Sequence, residues 1–203
     1  LEFRKEGFLP EAILNYMALL GWTPPSGKEI TNLEEMIKNF DLNNVHTTPA
    51  VFDIEKLKWL NGEYIRKFPI NQLRSALQNF AGQANLKKVD KGLSDKFIPL
   101  AQTRMTTLND FYEFAGPYLE ETKIELNQKE KEIAQRLLKK LSVIEQWDNE
   151  TILSTLRQII KEENIRMPVI YKIITGKERG LPLPESLEIF GWEKTLERLK
   201  KLI

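Results

Sequence analysis

Apolar residues recur along most of this chain every three or four positions, the spacing that places them on one face of an α-helix. The stretch LPEAILNYMALLGW, residues 9–22, has Pro10 in a first turn, where proline is tolerated, and Gly21 where a helix ends. The same spacing predicts further helices within residues 33–40, 69–84, 96–104, 107–119, 128–147 and 149–165. Clusters of proline and glycine predict turns at residues 23–27, Ala115–Pro117 and 179–184.

The stretch PAVFDIEKLKWLNGEYIR, residues 49–66, predicts a helix whose apolar face is interrupted. Asp53 is a good N-cap residue, and the face that follows consists of Leu57, Leu60, Tyr64 and Ile65. Asn61 and Gly62 interrupt it, and a glycine within a helix costs about 1 kcal/mol relative to alanine. Two interpretations remain open: either something approaches the helix closely here, or Asn61 is a satisfied buried polar residue beside a packing glycine.

These patterns predict an all-α, bundle-like fold in two or three compact parts. The boundaries are predicted near Lys67–Pro69 and Gly116–Glu120. The stretch PVIYKIIT, residues 168–175, is too apolar for periodicity to distinguish a strand from a buried helix.

The composition narrows the possible partners and compartments. The 203 residues carry 30 basic and 29 acidic side chains, so a nucleic-acid site must be local rather than a property of the whole surface. Lysine and arginine concentrate in ITGKERG and EKTLERLKKLI near the C-terminus, where a solvated mixed-charge surface is the simpler interpretation. The absence of cysteine excludes thiol chemistry and fits a reducing, cytoplasmic compartment. No apolar run approaches the roughly 20 residues of a membrane span, so we expect no membrane partner.

Residues suited to catalysis are sparse. His46 is the single histidine and has no nearby nucleophile or second ligand, which argues against a catalytic triad or a histidine metal cluster. The sequence GKERG, residues 176–180, lacks the spacing of a phosphate-binding P-loop. We therefore expect no catalytic residue, no metal and no cofactor in this chain. Residue chemistry alone indicates a helical interaction module.

Four blocks of sequence occur in an order that identifies a resemblance. They are GFLPEAILNYMALLGW at 7–22, VHTTPAVFDIEKLKWLNGEYIR at 45–66, RMTTL at 104–108, and IITGKERG with LEIFGWEKTLERLKKL after residue 172. The first resembles the segment that lies a short distance after the lysine-rich signature loop of the catalytic domain in bacterial-type glutamyl-tRNA synthetases, and the second is similar to a patterned PAVFD block of the same family. The last two are similar to a later element and to the closing elements of that family. The blocks span nearly the whole chain, which also begins without methionine, so we expect a C-terminal fragment.

The resemblance implies a helical stem-contact region at residues 1–67 and anticodon-binding helical subdomains at 68–118 and 119–203. The two nucleotide-binding signatures of the family do not occur here, so the catalytic domain, with its ATP and Mg²⁺, is expected upstream in the parent chain. The resemblance implies two partners, the glutamate tRNA, written tRNA(Glu), and the catalytic domain of the parent chain. We expect a monomer. The alternative is a stand-alone protein-interaction module that no longer binds tRNA.

The resemblance also implies which residues contact tRNA. Arg104 corresponds to an arginine that distinguishes cytosine from guanine at the third anticodon base, a task that suits the planar donors of a guanidinium. The other implied anticodon contacts are Thr107, Tyr171, Lys172, Thr175 and Gly176. Stem contacts are implied at His46, Thr47 and Thr48, although family members often have serine, a basic residue and serine there. The arginine that usually precedes the final turn of the family is absent.

Overall fold

The structure is a computed structural model that describes residues 2–46, 49–81 and 91–203, without the side chains of Ala81 and Lys91. Within these ranges it contains twelve α-helices, one short 3-10 helix at Leu42–Asn44 and no strand, which confirms the all-α class. The helices are α1 Glu2–Lys5, α2 Pro10–Gly21, α3 Leu33–Asn39, α4 Ile54–Lys67, α5 Ile70–Ala81, α6 Lys91–Gln102, α7 Asn109–Leu119, α8 Gln128–Leu141, α9 Asn149–Glu162, α10 Met167–Thr175, α11 Leu183–Phe190 and α12 Trp192–Leu202.

The predicted helix starts follow the expected capping chemistry. Pro10 occupies the first turn of α2. The Asp53 side chain accepts hydrogen bonds from the Glu55 and Lys56 backbone N–H groups at 2.9 and 3.1 Å, so it is the N-cap of α4. The ambiguous stretch 168–175 lies in α10 and is therefore helical.

The turn predicted at Ala115–Pro117 is wrong, because these residues lie inside α7. Pro117 has no N–H to donate to the carbonyl of Glu113 one turn earlier, which is why the sequence pattern indicated a break. Lys177 supplies a substitute donor, since its Nζ donates to the Glu113 carbonyl oxygen at 2.8 Å. A contact with a distant residue thus compensates for the proline near the end of the helix.

The helix predicted within residues 128–147 ends earlier than the sequence suggested, at Leu141. Asp148 caps the next helix by accepting from the Thr151 N–H at 2.8 Å, so residues 142–148 form the connection between α8 and α9. Ile144, which continues the apolar face of α8 in the sequence, therefore lies beyond the helix end.

The chain divides into two compact units, each made of two segments. The first unit comprises Leu1–Lys87 and Gln102–Tyr112, and the second comprises Lys88–Ala101 and Glu113–Ile203. The finer division at residues 67 and 118 stays a prediction. Among the described residues, no helix is both long and apolar enough to cross a membrane.

The first unit is built around the packing of α2 against α4. Phe8, Tyr16, Leu57 and Leu60 form a buried cluster. The Tyr16 hydroxyl also accepts from the Asp53 N–H at 2.5 Å, which fixes the start of α4 against α2. Apolar burial and one hydrogen bond therefore set the orientation of the helix that carries the interrupted face.

A buried asparagine on α2 organises the segment that follows this helix. Asn15 is 1% exposed. Its Oδ1 accepts from the Thr31 N–H and the Tyr64 hydroxyl, both at 2.8 Å, and its Nδ2 donates to the Glu29 carbonyl at 3.0 Å. Burial raises the pKa of Tyr64 to about 12, so this hydroxyl remains a donor at neutral pH.

The second unit is a helical bundle in which α8 packs against α12 and α9 packs against α11. Two indole groups attach helices to one another through backbone carbonyls. Trp147 Nε1 donates to the Leu187 carbonyl at 3.0 Å, and Trp192 Nε1 donates to the Leu141 carbonyl at 3.1 Å. The first contact attaches α11 to the connection between α8 and α9, and the second attaches α12 to the end of α8.

Candidate nucleic-acid interface

Arg104 lies in a short loop between α6 and α7, two residues after the last residue of α6. Its side chain is exposed, whereas the next residue, Met105, is completely buried. Residues 103–108 are called the Arg104 loop below. The buried Met105 anchors this loop in the first unit, so the exposed guanidinium extends from a fixed point of the backbone.

The Asp110 carboxylate organises the C-terminal half of the Arg104 loop. It accepts from the Thr106 N–H at 2.6 Å, from the Thr106 hydroxyl at 2.8 Å and from the Thr107 N–H at 2.9 Å. Its other oxygen accepts from the Thr107 hydroxyl at 3.2 Å. The carboxylate also stands in the first turn of α7, where the helix dipole favours negative charge. Four hydrogen bonds to one side chain therefore define the shape of the loop.

Asn61, one of the two residues that interrupt the apolar face of α4, also binds the Arg104 loop. Its Oδ1 accepts from the Leu9 N–H at 2.8 Å, and its Nδ2 donates to the Thr106 carbonyl at 2.5 Å. A Cβ on Gly62 would lie 3.1 Å from the Met105 carbonyl oxygen, closer than most real Cβ contacts. Both interpretations of the interruption are therefore correct, since a satisfied polar residue and a close approach occur together.

A third contact joins the N-terminal segment to the loop. The Leu108 N–H donates to the Gly7 carbonyl at 2.9 Å. Gly7 has a φ of +85°, and a Cβ there would lie 2.7 Å from the Asn109 nitrogen, which no side chain could tolerate without a shift of the backbone. The loop is thus held by the start of the chain, by α4 and by the first turn of α7.

Thr107, one of the implied anticodon contacts, is 8% exposed. Its hydroxyl donates to Asp110, so in this structure its side chain supports the loop from inside. Its contact with tRNA stays a prediction.

The implied contacts in the second unit lie on α10 and at its end. The Tyr171 hydroxyl donates to the Leu181 carbonyl at 2.6 Å, and Lys172 Nζ forms an ion pair with Glu130 Oε1 at 2.6 Å. Burial disfavours the ionised Glu130, but hydrogen bonds from Lys172 and from the Asn127 backbone, with the charge of Lys172, lower its pKa overall. The polar ends of both predicted contacts are therefore engaged within the unit.

The turn after α10 begins at a left-handed glycine. Gly176 is exposed and takes a left-handed conformation with φ of 75°, which favours glycine. Thr175 is 4% exposed, and its hydroxyl donates to the Tyr171 carbonyl at 2.7 Å. The Lys177 N–H donates to the Thr175 hydroxyl oxygen at 3.2 Å. The backbone of this turn is exposed at Gly176, while the buried Thr175 stabilises the turn through these hydrogen bonds.

The stem-contact residues are described only in part. His46 is exposed, its N–H donates to the Gly21 carbonyl at 2.7 Å, and its Nε2 lies 2.9 Å from the Thr23 hydroxyl oxygen. Thr47 and Thr48 lie outside the described residues. The predicted site residues therefore divide between the units: His46, Arg104 and Thr107 belong to the first, and residues 171–176 belong to the second.

Asp110 and Gly7, which hold the Arg104 loop, are not among the site residues predicted from the sequence. A signal for Asp110 is present, because Thr107 followed three residues later by an acidic residue is the pattern that opens many helices. No comparable local signal marks Gly7. In the part of the chain that the structure describes, no group of three or more His, Asp or Glu side chains that could hold a metal ion is found.

Comparison with known families identifies the chain. Residues 54–203 match the family described as "Anticodon binding domain", and the chain belongs to this family. Residues 2–59 match the family described as "tRNA synthetases class I (E and Q), catalytic domain". Most of the catalytic domain is thus absent from this chain. Only residues 2–59 match part of it.

Similar proteins agree with the resemblance seen in the sequence. The chain is 30% identical to a glutamate–tRNA ligase of Pseudomonas syringae pv. syringae over 99% of this chain and 42% of the relative. It is 33% identical to glutamate–tRNA ligase 1 of Fervidobacterium nodosum over 98% of this chain and 43% of the relative. The expected resemblance is confirmed, and the chain spans less than half the length of these curated relatives.

Solved structures give the same result in three dimensions. A crystal structure of a glutamate tRNA ligase from Elizabethkingia meningosepticum superimposes with a TM-score of 0.77 at 28% identity, over 98% of this chain and 42% of that chain. A glutamate–tRNA synthetase from Elizabethkingia anophelis gives 0.75 at 29% identity, over 99% and 42%. The fold described above is therefore shared with proteins of this name.

Proposed function

We propose that this chain binds the anticodon arm of tRNA(Glu) as the C-terminal portion of a glutamate–tRNA ligase. Its membership of the anticodon-binding domain family over residues 54–203 carries the proposal. The names of its relatives favour glutamate as the amino acid and tRNA(Glu) as the partner. The parent enzyme would join glutamate to tRNA with ATP and Mg²⁺ in its catalytic domain, and this chain alone would not activate glutamate.

Arg104 is proposed to read the third anticodon base. An unstacked loop base presents its pairing edge, and a guanidinium offers several donors in one plane for that edge. Cytosine and guanine present different donors and acceptors, so one guanidinium held in one place favours one of them. The exposed side chain and the braced Arg104 loop support this role, because a fixed backbone limits where the donors can reach.

The second unit is proposed to contact the anticodon through the turn at Gly176. The exposed glycine allows close approach of a base or a phosphate. Tyr171, Lys172 and Thr175 then act mainly by holding α10 and the turn in place, given their contacts within the unit. His46, Thr47 and Thr48 are proposed to contact the tRNA stem.

The proposal is tested by binding of this chain to tRNA(Glu) and to the same tRNA with guanine at the third anticodon position, each at two salt concentrations. We expect the unmodified protein to prefer cytosine and to bind less tightly at higher salt, because phosphate contacts release counterions. Arg104→Gln should lose the preference for cytosine and retain salt-sensitive binding. Arg157→Gln, which removes the same charge from an exposed position on α9, should keep the preference.

Two results would contradict the proposal. Equal binding of both tRNAs by the unmodified protein would remove the base-reading role of Arg104. Binding that is absent at both salt concentrations would instead favour a helical protein-interaction module.

A further inference from the structure

Asn61 makes a two-sided contact that uses both the acceptor and the donor of its amide. It is completely buried on α4, accepts from the Leu9 N–H at 2.8 Å and donates to the Thr106 carbonyl at 2.5 Å. Its two partners are 52 and 45 residues away in sequence. An ionised carboxylate can only accept and an aliphatic side chain can do neither, whereas the asparagine amide has both an acceptor and a donor and satisfies both partners.

The bond to Thr106 acts on the part of the chain that sets the position of Arg104. Thr106 lies two residues after Arg104, and the Met105 side chain between them is completely buried. The Met105 carbonyl lies against the Gly62 backbone of α4, and the Leu108 N–H is bound to Gly7. A shift of the Thr106 carbonyl would therefore be transmitted directly to the backbone that carries the guanidinium.

We propose that Asn61 is a positioning residue for base selection by Arg104, through the backbone of the Arg104 loop. The inference rests on the proposed function. Discrimination between two bases depends on donor geometry, whereas attraction to phosphates depends on charge and tolerates small displacements. Asn61 therefore governs the preference for cytosine and leaves the salt-dependent part of binding unchanged.

The contact also links the two family matches along the chain. Leu9 lies in the segment that matches the class I catalytic domain, whereas the Arg104 loop lies in the anticodon-binding domain. Asn61 holds one hydrogen-bonding partner in each. Through Asn61, the Arg104 loop is therefore held in place by the N-terminal segment as well as by the helices of its own domain.

The test substitution is Asn61→Asp, which keeps the size of the side chain. One carboxyl oxygen can still accept from Leu9, and the ionised form has no proton to donate to the Thr106 carbonyl. Because burial favours the protonated form, which can donate, the comparison is made at about pH 9, where ionisation is favoured. We expect the preference for cytosine over guanine to fall by about fivefold, the equivalent of one ordinary hydrogen bond. The salt dependence of binding should stay as in the unmodified protein.

Asn15→Asp is the matched control. Asn15 is likewise buried in the first unit, accepts two hydrogen bonds and donates one to a backbone carbonyl, that of Glu29. The same substitution there removes an equivalent donation and touches no residue of the Arg104 loop. We expect Asn15→Asp to lower the melting temperature about as much as Asn61→Asp does, but to keep the preference for cytosine.

A second readout does not depend on tRNA. Hydrogen exchange of the Leu108 amide should accelerate in Asn61→Asp, because the loop that holds this amide against Gly7 is loosened, and should not change in Asn15→Asp. Faster exchange with an unchanged base preference would overturn the positioning role. An equal loss of preference in both variants would assign the effect to general destabilisation.

Failure of the proposed function would look different. If the unmodified protein has no preference for cytosine, then both base reading by Arg104 and this inference are overturned, whatever result Asn61→Asp gives. If the unmodified protein discriminates and folded Asn61→Asp discriminates equally, only this inference is overturned.

Discussion

The contact between Gly7 and the start of α7 gives a prediction whose magnitude follows from two geometric facts. Gly7 has a φ of +85°, a conformation that costs an L-residue about 1–2 kcal/mol. A Cβ at this position would also lie 2.7 Å from the Asn109 nitrogen and 2.8 Å from the Leu108 nitrogen. Both are backbone atoms, so the loop must move and the bond from Leu108 to Gly7 is lost, at about 1 kcal/mol. Gly7→Ala should therefore reduce the free energy of unfolding by about 2–3 kcal/mol.

Gly27→Ala separates the two causes. Gly27 also has a left-handed φ, +68°, but a Cβ there would meet no atom within 4 Å. Its substitution should cost only the conformational strain, about 1–2 kcal/mol. The assay is urea denaturation followed by circular dichroism, with both variants compared with the unmodified protein. A loss for Gly7→Ala no larger than that for Gly27→Ala would refute the reasoning, because close contact with the loop would then contribute nothing.

Two further predictions concern the second unit. Lys177→Met removes the donor that compensates for Pro117 at the Glu113 carbonyl, and should lower the free energy of unfolding, measured by urea denaturation, by about 1 kcal/mol. The control, Glu113→Gln, alters only an exposed ion pair and should leave the free energy of unfolding almost unchanged. Equal losses in the two variants would contradict this role of Lys177. Because the pKa of Glu130 is lowered despite its burial, its ionised form stabilises the unit above the ordinary carboxyl pKa of about 4.3, and that stabilisation is lost as the pH falls through the lower folded value. Glu130→Gln keeps a side chain able to cap α8. In thermal melts between pH 6 and pH 2, its melting temperature should therefore fall less with acid than that of the unmodified protein. Parallel plots of melting temperature against pH for the two proteins would contradict this role of Glu130.

Local sequence signals predicted the elements that depend on local chemistry. The start of α4 follows from Asp53, and the start of α2 follows from Pro10, since both positions are set by the first turn of a helix. The turn expected at Ala115–Pro117 failed because the compensating donor, Lys177, lies 64 residues from Glu113. A local pattern contains no information about such a partner.

The candidate site shows the same limit. The sequence predicts a break between helices at residues 96–104 and 107–119, but it places Arg104 at the end of the first, whereas that helix ends at Gln102 and Arg104 lies in the loop. Gly176 ends α10 in a left-handed conformation, although the sequence left residues 168–175 undecided between strand and helix. The ion pair of Lys172 with Glu130, 42 residues away, could not be predicted, and neither could the partners of Asn61. Asn61 was recognisable only as a departure from the helical pattern, and tertiary contacts explain that departure.

The interleaving of the two units has a consequence for the order in which the protein folds during synthesis. Translation proceeds from the N-terminus at about 5–20 residues per second, and the first unit needs the segment Gln102–Tyr112 to be complete. Until that segment leaves the ribosome, the amide of Asn61 lacks its Thr106 acceptor. A nascent chain therefore exposes an unfinished first unit to chaperones and proteases while most of the second unit is still being made, and α12, the partner of α8, is added last.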